Sequence, residues 1–425
     1  MVTVAEVIAD HAGDDATALR FEDRRWSHAE VAAAVAARGA LLADAPTDPP
    51  HVGVLLDNVP EFLFWLGAAA LNRAVVVGIN PTRRGPELER DIRATDCRWV
   101  VTDAEHLPLL AGIDAGVPPD RVLVVDDAAY QGRLDGYAGA PLPPPTARPD
   151  DLFVLFFTSG TTGTPKAVQC TQGRLRRAGT VLAGRFDLSG GVYQAMPMFH
   201  SNALLAGVSP AWAAGAPIVL RRRFSASGWL PDIRHYGATY FNYVGKPLAY
   251  ILATPERDDD ADNPLLAAFG NEANPWDIES FGRRFGCRVV DGYGSSEGGA
   301  SLSRTPETPT QALGVVSTTS ASSIPRRRPT ALRPSSTPTD ASSTPTRRSA
   351  RSPPGRGRAC SRATTTTPRP TPNGCTTGGT GPVTSPTATT TASCTSPAAA
   401  TTGCASTART SLPRPSRRSS PATPT

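Results

Sequence analysis

The last quarter of this chain has almost nothing from which to build a core. Residues 317–425 contain no Phe, Tyr, Trp, Met or Lys and one acid, Asp340, yet hold 15 Arg and 17 of the chain's 42 Pro. Ordering a residue costs about 1–2 kcal/mol of conformational entropy, and few side chains there offset it. A disordered tail is therefore expected. Its formal charge is +14 against −9 for residues 1–316, so the mild overall +5 averages two unlike parts. A basic segment can meet phosphates, but this one lacks stacking aromatics and scatters its arginines among Pro, Ser and Thr. No nucleic-acid partner is expected.

Other absences narrow the class further. The opening MVTVAEVIADHAGDD has no basic segment followed by an apolar one, and no apolar run approaches the ~20 residues that span a bilayer. The longest, LFWLGAAAL, stops at Asn72 and Arg73. Of seven cysteines, Cys97, Cys170 and Cys287 lie far apart and the other four fall in the tail, with neither CxxC pairs nor His/Cys metal spacing. A cytoplasmic location is expected.

Residues 1–316 alternate short apolar runs with helical patterns, which predicts an α/β fold with a mostly parallel sheet covered by helices. Ser27-His28-Ala29-Glu30 reads as a capping box opening the helix VAAAVAARGALLA. Strands are expected at 51–56, 74–80, 98–103 and 121–127, with helices at 60–72 and 86–95. The segment AGAPLPPPTARPD (138–150) reads as an extended, exposed connector. Beyond it, LFVLFF (152–157) suits a buried strand, and PIVLRR, ATYFNYVG and CRVVDGYG repeat the habit.

The first of these later strands runs into the most informative stretch: Thr158, Ser159, Gly160, Thr161, Thr162, Gly163, Thr164, Pro165 and Lys166. Glycines let backbone amides face an anion, the hydroxyls add donors, and Lys166 adds a charge for phosphate. The competing reading is a flexible Ser/Thr/Gly linker, which would not ordinarily follow a six-residue apolar strand and end in Pro-Lys. Lys166 and Lys246 are the chain's two lysines. A P-loop would need Gly at 165 and Ser or Thr at 167, where the chain has Pro165 and Ala167.

This loop resembles the T-S-G-T-T-G-x-P-K signature of the adenylate-forming (AMP-binding) superfamily. Further segments follow in that family's order: Met196-Pro197-Met198-Phe199-His200-Ser201-Asn202, RRRFSASGW (221–229), ATYFNYVGKPLAYIL (238–252), FGNEANP (269–275) and DGYGSSEGG (291–299). The set is similar to the long-chain and very-long-chain fatty-acid–CoA ligase and fatty-acid transport protein branch, of actinobacterial type. It spans roughly residues 15–316. The resemblance implies the large N-terminal domain of the adenylate-forming fold, with stacked, mostly parallel sheets and helices, here truncated. It also implies ATP, Mg²⁺ and CoA as cofactor and co-substrates, a fatty acid as substrate, and room for peripheral membrane contact.

By position, the resemblance gives residues 158–166 to the ATP phosphates. Asn271 and Glu272 go near the adenine, and Asp291, Gly292, Tyr293, Gly294 and Ser296 line the nucleotide, with Tyr293 stacked on the base. Glu297 and Thr158 go to Mg²⁺. Ser296 stands where the family usually has Thr, and Asn271-Glu272 replaces a commoner small pair. Lys166, His200 and Glu297 are the catalytic candidates. The competing readings are a core histidine bonded to backbone for His200 and a solvated carboxylate at a helix start for Glu297, the weaker of the two. ALLAGV (203–208) and YVGKPLAYIL suit acyl-tunnel walls, or ordinary core. The implied reaction is attack of a fatty carboxylate on the α-phosphorus of ATP, expelling pyrophosphate, then attack of the CoA thiol on the acyl-adenylate. It asks for alignment and charge neutralisation, so the lack of a GxSxG or a triad is no objection.

After Ala312-Leu313-Gly314-Val315 the family would continue into a T-G-D ribose loop, a hinge and a small domain. The tail carries none of these as written. Its Thr, Ala, Pro, Gly, Ser and Arg content is what a GC-rich gene yields out of phase. Joining the last base of each codon to the first two of the next lets Gly379 to Ala399 read WYWTGDLAYRDHDGFLHFAGR and Ala400 to Ser411 read GDDWLRVDGENF. Both resemble the missing motifs, in order. The expected organisation is an incomplete AMP-binding domain over 1–316 and a frameshift product over 317–425. The alternatives to a working ligase are a defective pseudoenzyme or an acyl- or nucleotide-binding protein.

Overall fold

A computed structural model describes residues 2–44, 50–158 and 165–294, together with the backbone of 301–303 and 315–316. The expected tail lies outside the described residues. The chain divides into two units, Met1–Arg333 and Pro334–Thr425, and every described residue belongs to the first.

Fifteen strands are described. They are β1 (Thr17–Phe21), β2 (Arg24–Ser27), β3 (His51–Leu55), β4 (Val75–Gly78), β5 (Trp99–Thr102), β6 (Val122–Val124), β7 (Leu152–Thr158) and β8 (Lys166–Thr171). Then come β9 (Val192–Gln194), β10 (Ile218–Leu220), β11 (Tyr240–Val244), β12 (Ala267–Asn271), β13 (Arg288–Gly294), β14 (Ser301–Ser303) and β15 (Val315–Val316). They form two sheets, ordered β15-β14-β13-β12-β11-β9-β10-β1-β2 and β6-β5-β3-β4-β7-β8. In the first, the six strands from β13 to β1 run parallel, and antiparallel pairs close both edges. The second is parallel except for its β7–β8 edge. The α/β class and mostly parallel pairing expected from the alternation are thus the ones observed.

Alternation along the second sheet sends its side chains to two cores. Val52, Val54, Val76, Val101 and Val154 join the large core shared with the first sheet. Leu55, Val75, Val77, Val100 and Leu155 point the other way, onto Leu88 and Ile92 of the helix Gly85–Ala94. Between the sheets, helix His28–Ala43 packs on β1 and β2, helix Pro60–Leu71 on β4, and the two helices on each other. The second of these is buried from Phe62 through Leu71, as expected of a helix apolar all round. The Ser27 capping box forms as read: Glu30 N–H donates to Ser27 Oγ at 3.2 Å, and Ser27 N–H to Glu30 Oε2 at 2.8 Å. A second box, Thr3 with Glu6, starts the helix Val4–Asp10, where no element was expected.

One stretch takes a rarer form. Ala203–Val208, the apolar ALLAGV, winds as a π-helix leading into the α-helix Ser209–Ala214. The Tyr240 hydroxyl, fully buried, donates to its Ala206 carbonyl at 2.9 Å. Such wide turns occur preferentially at functional sites.

Candidate active site

Parallel strands leave a crevice beyond their carboxyl ends, and ligands of open α/β sheets bind there. The ends of β11, β12 and β13 lie side by side, with Val244 paired to Asn271 and Gly270 to Asp291. The segment Met196–Asn202 follows β9 in the same sheet, a loop through His200 and then the first helical residues ahead of the π-helix. Its last residue ties it to the neighbouring strand ends: Asn202 Nδ2 donates to the Tyr243 carbonyl at 3.0 Å and to Asn271 Oδ1 at 3.3 Å. Asn271 Nδ2 then donates to the Gly292 carbonyl at 2.6 Å. On the other side, Asn242 Nδ2 donates to Asn202 Oδ1 at 3.0 Å. A continuous chain of amides therefore runs from β11 through the 196–202 segment and β12 to β13.

Asp291 braces the same corner. Its Oδ2 accepts the Tyr243 hydroxyl at 3.0 Å and the Ala273 amide at 3.1 Å. Burial, and then the adjacent carboxylate, push the Tyr243 hydroxyl well above the usual phenol range, so it remains a donor. The Tyr243 ring covers Gly270, where a Cβ would come within 2.2 Å of the Tyr243 carbonyl oxygen and 2.5 Å of the ring. Past Asn271 the backbone turns through Glu272 at φ +70°, a left-handed conformation uncommon for a residue with a Cβ. Glu272 is exposed, and Tyr293 is 48% exposed at the far end of β13.

Two buried amides back the loop. Asn58 donates to the Met196 carbonyl at 2.9 Å and accepts the Met198 amide at 2.9 Å, while Gln194 Nε2 donates to the Met196 carbonyl at 2.5 Å. The other ends of Gln194 and Asn242, Oε1 and Oδ1, are buried without a hydrogen-bond partner among the described residues. Both face Gly207 of the π-helix, whose Cβ would lie 2.1 Å from the first and 2.9 Å from the second. Only glycine fits between them.

The second sheet contributes the hairpin. Thr158 closes β7 and pairs directly with Lys166, the first residue of β8, so their side chains share a face at its mouth. Lys166 is exposed and Thr158 half-buried. Gly78 of β4 pairs with Phe156 and also abuts Phe199, where its Cβ would come within 2.9 Å of the Phe199 Cα. One glycine thus joins the strand feeding the hairpin to the loop that carries His200.

His200 is exposed, with its ring 4.5 Å from that of Phe199, and the protein crowded on one side lowers its pKa by desolvation. It is not the backbone-bonded core histidine of the alternative reading. Cysteine chemistry is disfavoured: burial pushes the Cys97 and Cys287 thiols up to about 12 and Cys170 up to about 11.

Of the expected site residues, the structure gathers Asn271, Glu272, Asp291, Gly292, Tyr293 and Gly294 at the strand ends and places Thr158 and Lys166 across the hairpin. Ser159, Gly160, Thr161, Thr162, Gly163, Thr164, Ser296 and Glu297 lie outside the described residues. Sequence reasoning overlooked Asn58, Gln194, Asn242 and Tyr243. For Gln194 and Asn242 a polar amide inside an apolar strand run was the available signal; Asn58, in the bend after β3, and Tyr243 carried none.

Comparison with known proteins follows the same outline. Residues 6–322 match the family described as AMP-binding enzyme. The chain is 52% identical over 319 residues to a steroid-22-oyl-CoA synthetase of Rhodococcus jostii, covering 73% of this chain and 57% of that protein. It is 46% identical over 316 residues to the medium/long-chain-fatty-acid–CoA ligase FadD17 of Mycobacterium marinum, covering 73% and 61%. This chain therefore spans less than two thirds of the length of either relative. The fold is shared with the anthranilate CoA ligase AuaEII in complex with anthranoyl-AMP, at TM-score 0.65 and 20% identity over 74% of this chain and 64% of that one. VinN matches at TM-score 0.65 and 23% identity, over 74% and 81%.

Proposed function

The chain belongs to the AMP-binding enzyme family, and from that premise we propose that its site is built to activate a long-chain carboxylic acid with ATP and pass the acyl group to CoA. The observation that carries this reading is the amide chain Asn242–Asn202–Asn271–Gly292, which couples the loop bearing His200 to the strand bearing Tyr293. Two ligand halves held at fixed distance are what an in-line attack of carboxylate on an α-phosphorus requires.

Within this reading, Lys166 sets its charge against the phosphates at the mouth of the hairpin, and Tyr293 offers an exposed ring to the adenine. Asn271 and Asp291 are positioning residues, because their side chains are committed to Gly292, Asn202, Tyr243 and Ala273. A neutral His200 orients the acid without adding charge beside the phosphates. The attack forms the carboxylate–phosphorus bond as pyrophosphate leaves, and the CoA thiol then displaces AMP. No protein nucleophile takes part. For the Mg²⁺ that the family implies, Thr158 offers one hydroxyl and Glu297 lies outside the described residues. One described donor does not make a coordination set, so no step is derived through the ion.

ATP–pyrophosphate exchange with a series of fatty acids tests the reading. Lys166→Ala should raise the barrier by about 2–4 kcal/mol, a loss of roughly 30- to 1,000-fold. Unchanged exchange in that variant would refute the assignment. The competing reading, a defective or merely nucleotide-binding protein, rests on the tail's lack of a ribose loop and hinge as written. It predicts AMP binding without exchange by the 425-residue chain, and exchange recovered once a nucleotide inserted before codon 317 restores the other frame.

A further inference from the structure

Two clusters outside this site bring three potential metal ligands together: His11, Asp14 and His28, and Asp57, Glu105 and His106. In the second, the Arg223 guanidinium already sits 2.8 Å from both Asp57 and Glu105, and His106 Nδ1 lies 2.6 Å from Asp103. That cluster is a satisfied ion-pair network. In the first, no Arg or Lys pairs with Asp14 among the described residues, and its one ion-pair contact is His11 Nδ1 with Asp14 Oδ2 at 3.9 Å.

Three element ends build the first cluster. His11 caps the helix Val4–Asp10, and the turn after it closes by the Asp14 amide donating to the His11 carbonyl at 3.0 Å. His28 opens the helix His28–Ala43, its amide held by the Ala16 carbonyl at 3.0 Å, and the next amide, Ala29, is held by the Asp14 carbonyl at 3.0 Å. The two imidazoles stack with centroids 4.9 Å apart at 27°. They meet over Gly215, a left-handed helix cap where a Cβ would come within 2.7 Å of the His11 ring.

The hydrogen bonding at His28 fits a ligand. Its Nε2 lies 3.2 Å from the Gly215 carbonyl oxygen, which can only accept, so Nε2 carries the proton and Nδ1 keeps a free lone pair. A metal-bound histidine commonly donates its other N–H to a backbone carbonyl in this way, fixing tautomer and ring orientation.

We propose that His11, Asp14 and His28 bind a divalent transition metal of the zinc class through two imidazoles and one carboxylate, leaving a coordination position for water. One ring nitrogen of each histidine and one Asp14 carboxylate oxygen lie within 4.8 Å of one another. A tetrahedral ion with bonds of about 2.0–2.1 Å wants them about 3.3 Å apart. His11 and Asp14 are 35% and 46% exposed in their side chains and free to close that gap. Borderline donors of this kind select Zn²⁺, Co²⁺ or Ni²⁺ over Mg²⁺ or Ca²⁺, so the site is chemically distinct from any held by nucleotide phosphates. Its ion would pin the N-terminal helix to the start of the next one.

The test is Zn²⁺ titration of the full chain by calorimetry, alongside H11Q, D14N and H28Q. Each variant should bind one equivalent less than the unsubstituted chain, or bind that equivalent at least tenfold more weakly. H106Q in the ion-pair network should lose none. Asp14 is exposed and its Oδ1 bond to the Ala16 amide survives in D14N, so this variant reports even if H28Q fails to fold. Cobalt substitution separates the site from the cysteines: the equivalent lost in D14N should carry d–d bands without thiolate charge transfer. Equal Zn²⁺ stoichiometry and affinity in D14N and H11Q, or a Co²⁺ spectrum that D14N leaves unchanged, overturns the proposal.

Discussion

Replacing Tyr243 by Phe isolates one interaction at the candidate active site. Tyr243 is fully buried, and its ring keeps its seat over Gly270 in the variant, so no cavity opens. What is lost is the hydroxyl that donates to Asp291 Oδ2 at 3.0 Å, while the Ala273 amide still donates to that oxygen. A hydrogen bond to a charged group is worth about 1.5–3 kcal/mol. The folded-to-unfolded ratio should therefore fall roughly 10- to 160-fold. With urea slopes of about 1–3 kcal/mol/M, the unfolding midpoint should drop by about 0.5–3 M at unchanged slope. Tryptophan fluorescence reads this directly, because Trp229 is fully buried in the same sheet's core. The pair is confirmed by a cycle with Asp291→Ala, in which the double variant should lose less than the sum of the singles. A pH arm fixes the sign. The raised pKa of Tyr243 gives stability that is present below the ordinary value of 10.0 and lost as pH rises beyond it, so the variant should show a shallower alkaline loss. Additivity within about 0.5 kcal/mol, or a single variant as stable as the parent, would refute the brace.

Other consequences follow from the same packing. Gly78→Ala should cost about 1–3 kcal/mol by pushing the Phe199 backbone, whereas Gly132→Ala, in a helix with open space around it, should gain about 0.5–1 kcal/mol; thermal melts compare the two. Glu61→Gln should cost about 3–5 kcal/mol in urea unfolding, because it strands the buried Arg38 guanidinium that donates to Glu61 through two nitrogens. His200 should titrate by NMR below the ordinary histidine value, and His200→Gln should lessen any stability loss as pH falls through the ordinary value of 6.5; titration at or above that value contradicts the desolvation argument.

The sequence by itself determined the class of fold and the order of its motifs. The apolar run LFVLFF became a strand within a residue of its expected limits, because a largely buried strand needs little beyond local composition, whereas the run expected at 121–127 kept only Val122–Val124, an edge strand with one buried residue. The Ser27 capping box was legible for the same reason, since its partners lie three residues apart. Motif chemistry marked Lys166, Asn271 and Tyr293 as worth locating. Composition also separated residues 317–425 from the rest, on grounds that involve no packing at all.

Tertiary structure decided what depends on distant neighbours. That Asp291 braces Tyr243 across 48 residues, or that Asn202 bridges to Asn271 across 69, follows from parallel strands ending side by side, and no local pattern encodes it. The π-helix at 203–208 looked like any apolar helix or strand; its wide turn goes with Gly207 lying between two buried amide oxygens and Tyr240 reaching Ala206. The meeting of His11, Asp14 and His28 required the β1–β2 edge to bring one helix end back to another. Local energetics set the elements, and long-range pairing set which side chains face one another.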